Sequence, residues 1–191
     1  MHDQELLARA RSGDLDAASA LLTRHQGAAF TASLRLLGNA ADAEDVTQDA
    51  LVRAYGSLND LQDGASFASW LRRIAINLSL NVLRRRGLIR FEPLDAPGRG
   101  YVVEPDDGGP TPEMRALAAE ERSDIERLVR RLPTEQRVAV VLRDMYGYDM
   151  NDVATIGRCG LSAAKMRVKR GREALRTMLE SAGYTPGTRD V

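Results

Sequence analysis

Between Tyr148 and Arg176 the chain reads YDMNDVATIGRCGLSAAKMRVKRGREALR, and from Ser162 onward Lys165, Arg167, Lys169, Arg170, Arg172 and Arg176 are opposed only by Glu173. Lysine and arginine at this density can neutralise phosphates and hydrogen-bond base edges, so the chemistry on offer is nucleic-acid binding. The spacing predicts two helices that position these cations. The first runs from Asp149 to about Ile156, with Asp149 of N-cap type and Met150, Val153 and Ile156 on one face. Gly157-Arg158-Cys159-Gly160 is the break, its two glycines expected to adopt angles that other residues resist. The second helix is expected to open at Ser162, another N-cap type, and to carry the cations in helix–turn–helix fashion. The competing interpretation is an ordinary solvated helix face.

Other chemistries find little support. A single cysteine, Cys159, excludes an internal disulfide, and with only His2 and His25 no metal site and no metal cofactor are expected. No nucleophile elbow, phosphate-binding loop or H-E-x-x-H sequence occurs, so neither an enzyme nor a small-molecule substrate is indicated. No apolar run is long enough to span a membrane, and the polar start MHDQELLARARSGD is unlike a secretion signal. A reducing, cytoplasmic setting is expected.

The formal net charge of zero averages over opposed blocks. Arg72, Arg73, Arg84, Arg85, Arg86 and Arg90 face no acid between residues 72 and 90, whereas residues 92–126 hold ten acids against three arginines. Upstream, DAEDVTQDALVRAY should be a helix with Val46, Ala50 and Ala54 inward and Asp45, Gln48, Asp49 and Val52 on a second, acidic stripe. That stripe suits a basic partner, although acids early in a helix also simply complement its dipole.

The periodicity is helical throughout, and 43% apolar residues with only 5% aromatics suggest Leu/Ala/Val packing. The chain is therefore read as all-α: two small helical domains joined by a flexible linker, the C-terminal one a helix–turn–helix. Residues 1–90 form the first domain, with helices from Leu6, from Leu15 to Leu37, from Ala40 to Tyr55 after an Asn39 cap, and from Ser66 to Arg86. Residues 91–112, which contain five of the seven prolines, are an acidic tether with too little apolar content to order itself. The second domain covers 113–182, including a helix from Thr134 to Met145 after Pro133, and 183–191 is a tail.

Together, EDVTQDALVRAY, SFASWLRRIAINLSLNVLRRR, LPTEQRVAVVLRDMYGY and DVA…KMRVKRGREAL resemble, in order and spacing, the extracytoplasmic-function class of bacterial sigma factors. The resemblance spans nearly the whole chain. It implies a detachable subunit that binds core RNA polymerase, directs it to promoter DNA and helps open the duplex, with an anti-sigma protein as a third partner in many members. Asp45, Gln48 and Asp49 would dock on the polymerase clamp helices. Leu61 and its loop neighbours, with Asn77, would hold a base extruded from the minus-ten element, flanked by Arg72, Arg73, Arg84, Arg85 and Arg86 along the backbone. Lys165, Met166, Arg167, Lys169 and Arg170 would meet the minus-thirty-five duplex.

The sequence departs from the family pattern at several positions. Leu61 stands where an aromatic ring is common, Ile156-Gly157-Arg158 alters the usual leucine-glycine turn, and Ala163 and Ala164 replace threonine and valine. Alanines cannot hydrogen-bond a base, which would leave readout there to thymine methyls or DNA shape. Cys159 is expected to be a small packing residue. A stand-alone operator-binding regulator would account for residues 134–176 but not for the acidic stripe or the Trp70/Asn77 helix.

Overall fold

The computed structural model describes residues 2–62, 65–89 and 123–183, and every described element is helical. The tether expected at 91–112 and most of the expected tail lie outside these residues. The chain divides into two compact units, Met1–Gly87 and Leu88–Val191.

The first unit holds α1 (Asp3–Arg11), α2 (Leu15–Leu37), α3 (Ala40–Gly56), a 3-10 turn (Leu58–Asp60) and α4 (Phe67–Arg85). Local chemistry sets the boundaries. Asp14, Asn39 and Ser66 each accept a hydrogen bond from the backbone N–H three residues on, satisfying donors that the first helical turn leaves open. Gly38 ends α2 in the left-handed region at φ 85°, and its N–H returns to the Leu34 carbonyl.

Small residues let α2, α3 and α4 pack closely: Ala29, Ala32, Ala43, Ala50, Ala54 and Ala75 are fully buried among Leu21, Leu36, Leu71, Leu80 and Leu83. Truncating one of those leucines to alanine costs about 2–5 kcal/mol. The buried hydroxyls of Thr47 and Ser79 bond back to the carbonyls of Ala43 and Ala75, so they burden the core little. Asp3 ties α1 to α2 through Arg24 and His25, each at 2.6 Å, and the His25 ring tilts against Phe67, itself tilted against Trp70.

The second unit contains α5 (described over 123–131), α6 (Thr134–Val140), a π-helical turn (Val141–Met145), α7 (Met150–Ile156) and α8 (Leu161–Ser181). The single helix expected over Thr134–Met145 thus finishes in wider i→i+5 bonding, with Tyr146 N–H reaching the Val141 carbonyl. Val138 to Leu142 form an unbroken buried run that meets Val153, Ile156, Ala164 and Val168. Arg137 is buried among them and donates to the carbonyls of Arg130 and Leu132, capping the end of α5. Burial alone pulls its guanidinium below the ordinary value. At Gly171, α8 crosses α6 so closely that an added Cβ would lie 2.5 Å from Val140 Cγ2.

Candidate nucleic-acid interface

Helix α8 is amphipathic in fact as well as in pattern. Ala164, Val168 and Gly171 face the core, while Ser162, Ala163, Lys165, Met166, Lys169 and Arg170 share the solvent face. Four of the five residues expected to meet duplex DNA are therefore outward. Arg167 differs: it is half-buried, donating to the Gly157 carbonyl at 3.2 Å and to Glu135 Oε1 at 2.9 Å. It braces the turn against α6. Ala164 is also removed from any groove, being fully buried, so of the two alanines at this helix start only Ala163 is outward.

The turn corrects the expectation placed on its glycines. Neither uses the left-handed region: Gly157 has φ −78° and Gly160 has φ −65°. Arg158 does, at φ 41°, a conformation uncommon for a side chain of its size. Gly157 serves instead as space, because a Cβ there would come within 2.9 Å of the Arg167 guanidinium. The helix begins at Leu161 with Gly160 at the cap, one residue before the predicted Ser162 start. Asp149 caps α7 as its type predicted, accepting from Asp152 N–H at 2.8 Å.

On α3 the two stripes separate as the spacing requires. Val46, Ala50 and Ala54 are buried, and Asp45, Gln48, Asp49 and Val52 are exposed, Val52 to 72%. Leu15 and Tyr55 are exposed as well, and with Leu22 and Leu51 they line a shallow apolar groove between α2 and α3. Leu15 and Leu22 come from another helix, so the α3 stripe gave no sign of this groove.

Asn77 is half-buried on α4, as are Arg72 and Arg73, while Trp70 is core. Arg84 and Arg85 are exposed at the helix end. Arg86 is exposed but engaged: its Nη2 donates to Asp42 Oδ1 at 2.7 Å and its Nη1 to Asp42 Oδ2, joining the end of α4 to the start of α3. That bond, with a second from Asn39, lowers the Asp42 carboxyl from 3.8 to about 2. Leu61 corrects the sequence reading. It is only 3% exposed and anchors the loop from within, so it presents no surface to a base, whereas Asn59, Asp60 and Gln62 beside it are exposed.

Two struts escaped the sequence reading. Arg172 forms a two-point ion pair with Asp144 of the π turn, and Arg11 reaches the backbone of the loop after α3. Nothing local signals either, since the partners lie 28 and 47 residues apart along the chain.

Known proteins agree with this arrangement. Residues 21–89 match the family model for Sigma-70 region 2, and residues 122–175 match that for Sigma-70, region 4. The RNA polymerase sigma-H factor of Pseudomonas aeruginosa is 30% identical over 184 residues, covering 93% of this chain and 94% of that protein. The ECF RNA polymerase sigma-E factor of Escherichia coli is 30% identical over 178 residues, covering 91% and 92%. Among solved structures, the sigma factor RpoE in complex with the anti-sigma factor NepR from Bartonella quintana matches with a TM-score of 0.50 at 23% identity, over 85% of this chain and 96% of that one. That last likeness is one of fold.

Proposed function

The chain belongs to the extracytoplasmic-function class of the sigma-70 family, and from that premise we propose how its two units share the work of initiation. It is a sigma factor that binds core RNA polymerase, directs it to promoters and assists their opening. In this reading the first unit docks on polymerase through Asp45, Gln48 and Asp49, with exposed Val52 adding apolar contact beside the acids. Charge steers the encounter, and the apolar groove at Leu15 and Tyr55 prolongs it.

The same unit then holds one strand of the opened minus-ten element. Extruding a base costs stacking, on the order of a few kcal/mol, which a receiving pocket offsets while it reads the base edge. Asn77 supplies the reading group, and Asn59, Asp60 and Gln62 replace Leu61 as the loop's DNA-facing side chains. Arg84 and Arg85 follow the backbone, supported by Arg72 and Arg73. Arg86 contributes by fastening the end of α4 to Asp42.

The second unit lays α8 in the upstream major groove. Lys165, Lys169 and Arg170 meet phosphates or base edges, Met166 and Ala163 make apolar contact, and Arg167 holds the turn in shape. Such work needs no catalytic residue or cofactor. Among the described residues no helix is long and apolar enough to cross a membrane, and we assign the protein to the cytoplasm with polymerase. An anti-sigma protein completes the set of partners, as NepR does for RpoE.

The observation that carries this reading is the outward acidic stripe on α3 in one unit and the outward basic face of α8 in the other. Run-off transcription of a genomic library with core polymerase tests it. Promoter-dependent transcripts should require the chain, and gel shifts without polymerase should show weak binding. Tight operator binding by the chain alone, without transcripts, would make it a stand-alone regulator instead.

A further inference from the structure

Arg11, the last residue of α1, extends its guanidinium to the segment joining α3 to α4. Its Nε donates to the Leu58 carbonyl at 3.1 Å, and its Nη2 donates to the Leu61 carbonyl. These two carbonyls bracket the 3-10 turn Leu58–Asp60. Among the described residues the turn's own backbone bond runs from Asp60 N–H to the Ser57 carbonyl at 2.9 Å, and short 3-10 turns have poor internal bonding. Leu58 and Leu61 pin it from below, and Asn59, Asp60 and Gln62 stand out above. The planar fork of Arg11 suits this task because its donors are fixed relative to one another.

We propose that Arg11 is a positioning residue for promoter opening. It holds the stretch Leu58–Gln62 in the shape that receives an extruded base, so that this stretch is set before DNA arrives. The inference rests on the reading that this connection captures a minus-ten base. Arg11 itself is half-buried beneath the loop and acts through backbone carbonyls, not by touching DNA. Ordering a loop in advance removes that entropy cost from binding and raises affinity for whatever the loop grips.

The test uses holoenzyme assembled with the full chain and a promoter recovered from the library. The probes are fork-junction DNAs whose minus-ten strand is intact or carries one abasic site at each position in turn. With wild type, the abasic site at the captured position should weaken binding about tenfold. Arg11→Ala should bind intact DNA about tenfold more weakly, and its penalty for the abasic site should shrink to about twofold, with polymerase affinity unchanged. Arg11→Lys, which keeps the charge but offers a single amine, should fall between and serves if the alanine variant folds poorly. A full abasic penalty in both variants would overturn the proposal, as would a loss on intact DNA matched by an equal loss of polymerase affinity. If wild type ignores every abasic site, the base-capture reading itself fails and this inference falls with it.

Discussion

Replacing Gly171 by alanine separates two effects of opposite sign. In an isolated helix the change is favourable by about 1 kcal/mol, because glycine is the poorer helix former. Here the new Cβ would sit 2.5 Å from Val140 Cγ2 and 3.3 Å from the Gln136 carbonyl oxygen. Ordinary carbon–carbon contact is about 3.5–4.0 Å, so α8 must retreat from α6 by roughly 1 Å or Val140 must leave its rotamer. A β-branched residue on a helix has little rotamer freedom, and overpacking of this kind costs about 1–3 kcal/mol. The difference is a net destabilisation of up to about 2 kcal/mol, each kcal/mol of which lowers the unit's Tm by roughly 4–8 °C.

Differential unfolding can read this out. The chain's only tryptophan, Trp70, lies in the first unit, so its fluorescence reports that unit, while far-UV circular dichroism reports both. Gly171→Ala should lower the part of the dichroism transition that the Trp70 signal does not follow. Gly171→Ala combined with Val140→Ala should lose less than the two single costs added together, because the second change makes room for the first. A more stable Gly171→Ala protein would refute the reasoning, since it would mean that helix propensity alone governs the site.

Three further outcomes are expected. Asp45→Arg with Asp49→Arg should weaken association with core polymerase while leaving the Trp70-reported stability within about 0.5 kcal/mol, since both side chains are exposed. Lys165→Ala should reduce the salt slope of upstream DNA binding by about 0.9 without changing Tm, whereas Arg167→Ala should lower Tm by releasing Gly157 and Glu135. Asp42 titrates lower when folded, chiefly through Arg86, so its stabilising contribution is fully present above its ordinary 3.8 and is lost as pH falls toward about 2. The stability gap between wild type and Arg86→Ala, followed by urea unfolding, should therefore narrow from pH 5 toward pH 3.

Legibility from sequence followed the range of the interactions. The caps at Asn39 and Asp149 and the two stripes of α3 were readable because they depend on neighbours three or four residues away. The π turn at 141–145 was not, since no glycine or proline between Thr134 and Met145 marks the change of bonding. The sequence read Gly157 as a turn glycine, but the left-handed residue is Arg158, and only the approach of Arg167 from ten positions on explains the glycine. Leu61 looked available because loops usually are. Its burial, the Arg11 clamp and the Arg86–Asp42 bond all depend on helices brought together by the fold, at separations up to 50 residues.

Permanganate reactivity of thymines in a fully paired promoter, with wild-type and Asn77→Ala holoenzymes at saturating polymerase, reaches the core of this account. Wild type should expose reactive thymines around the minus-ten element, and Asn77→Ala should lose most of that signal while upstream protection persists. Equal reactivity in the two holoenzymes, or upstream protection vanishing together with the melted thymines, would contradict the assignment of opening and duplex recognition to separate units.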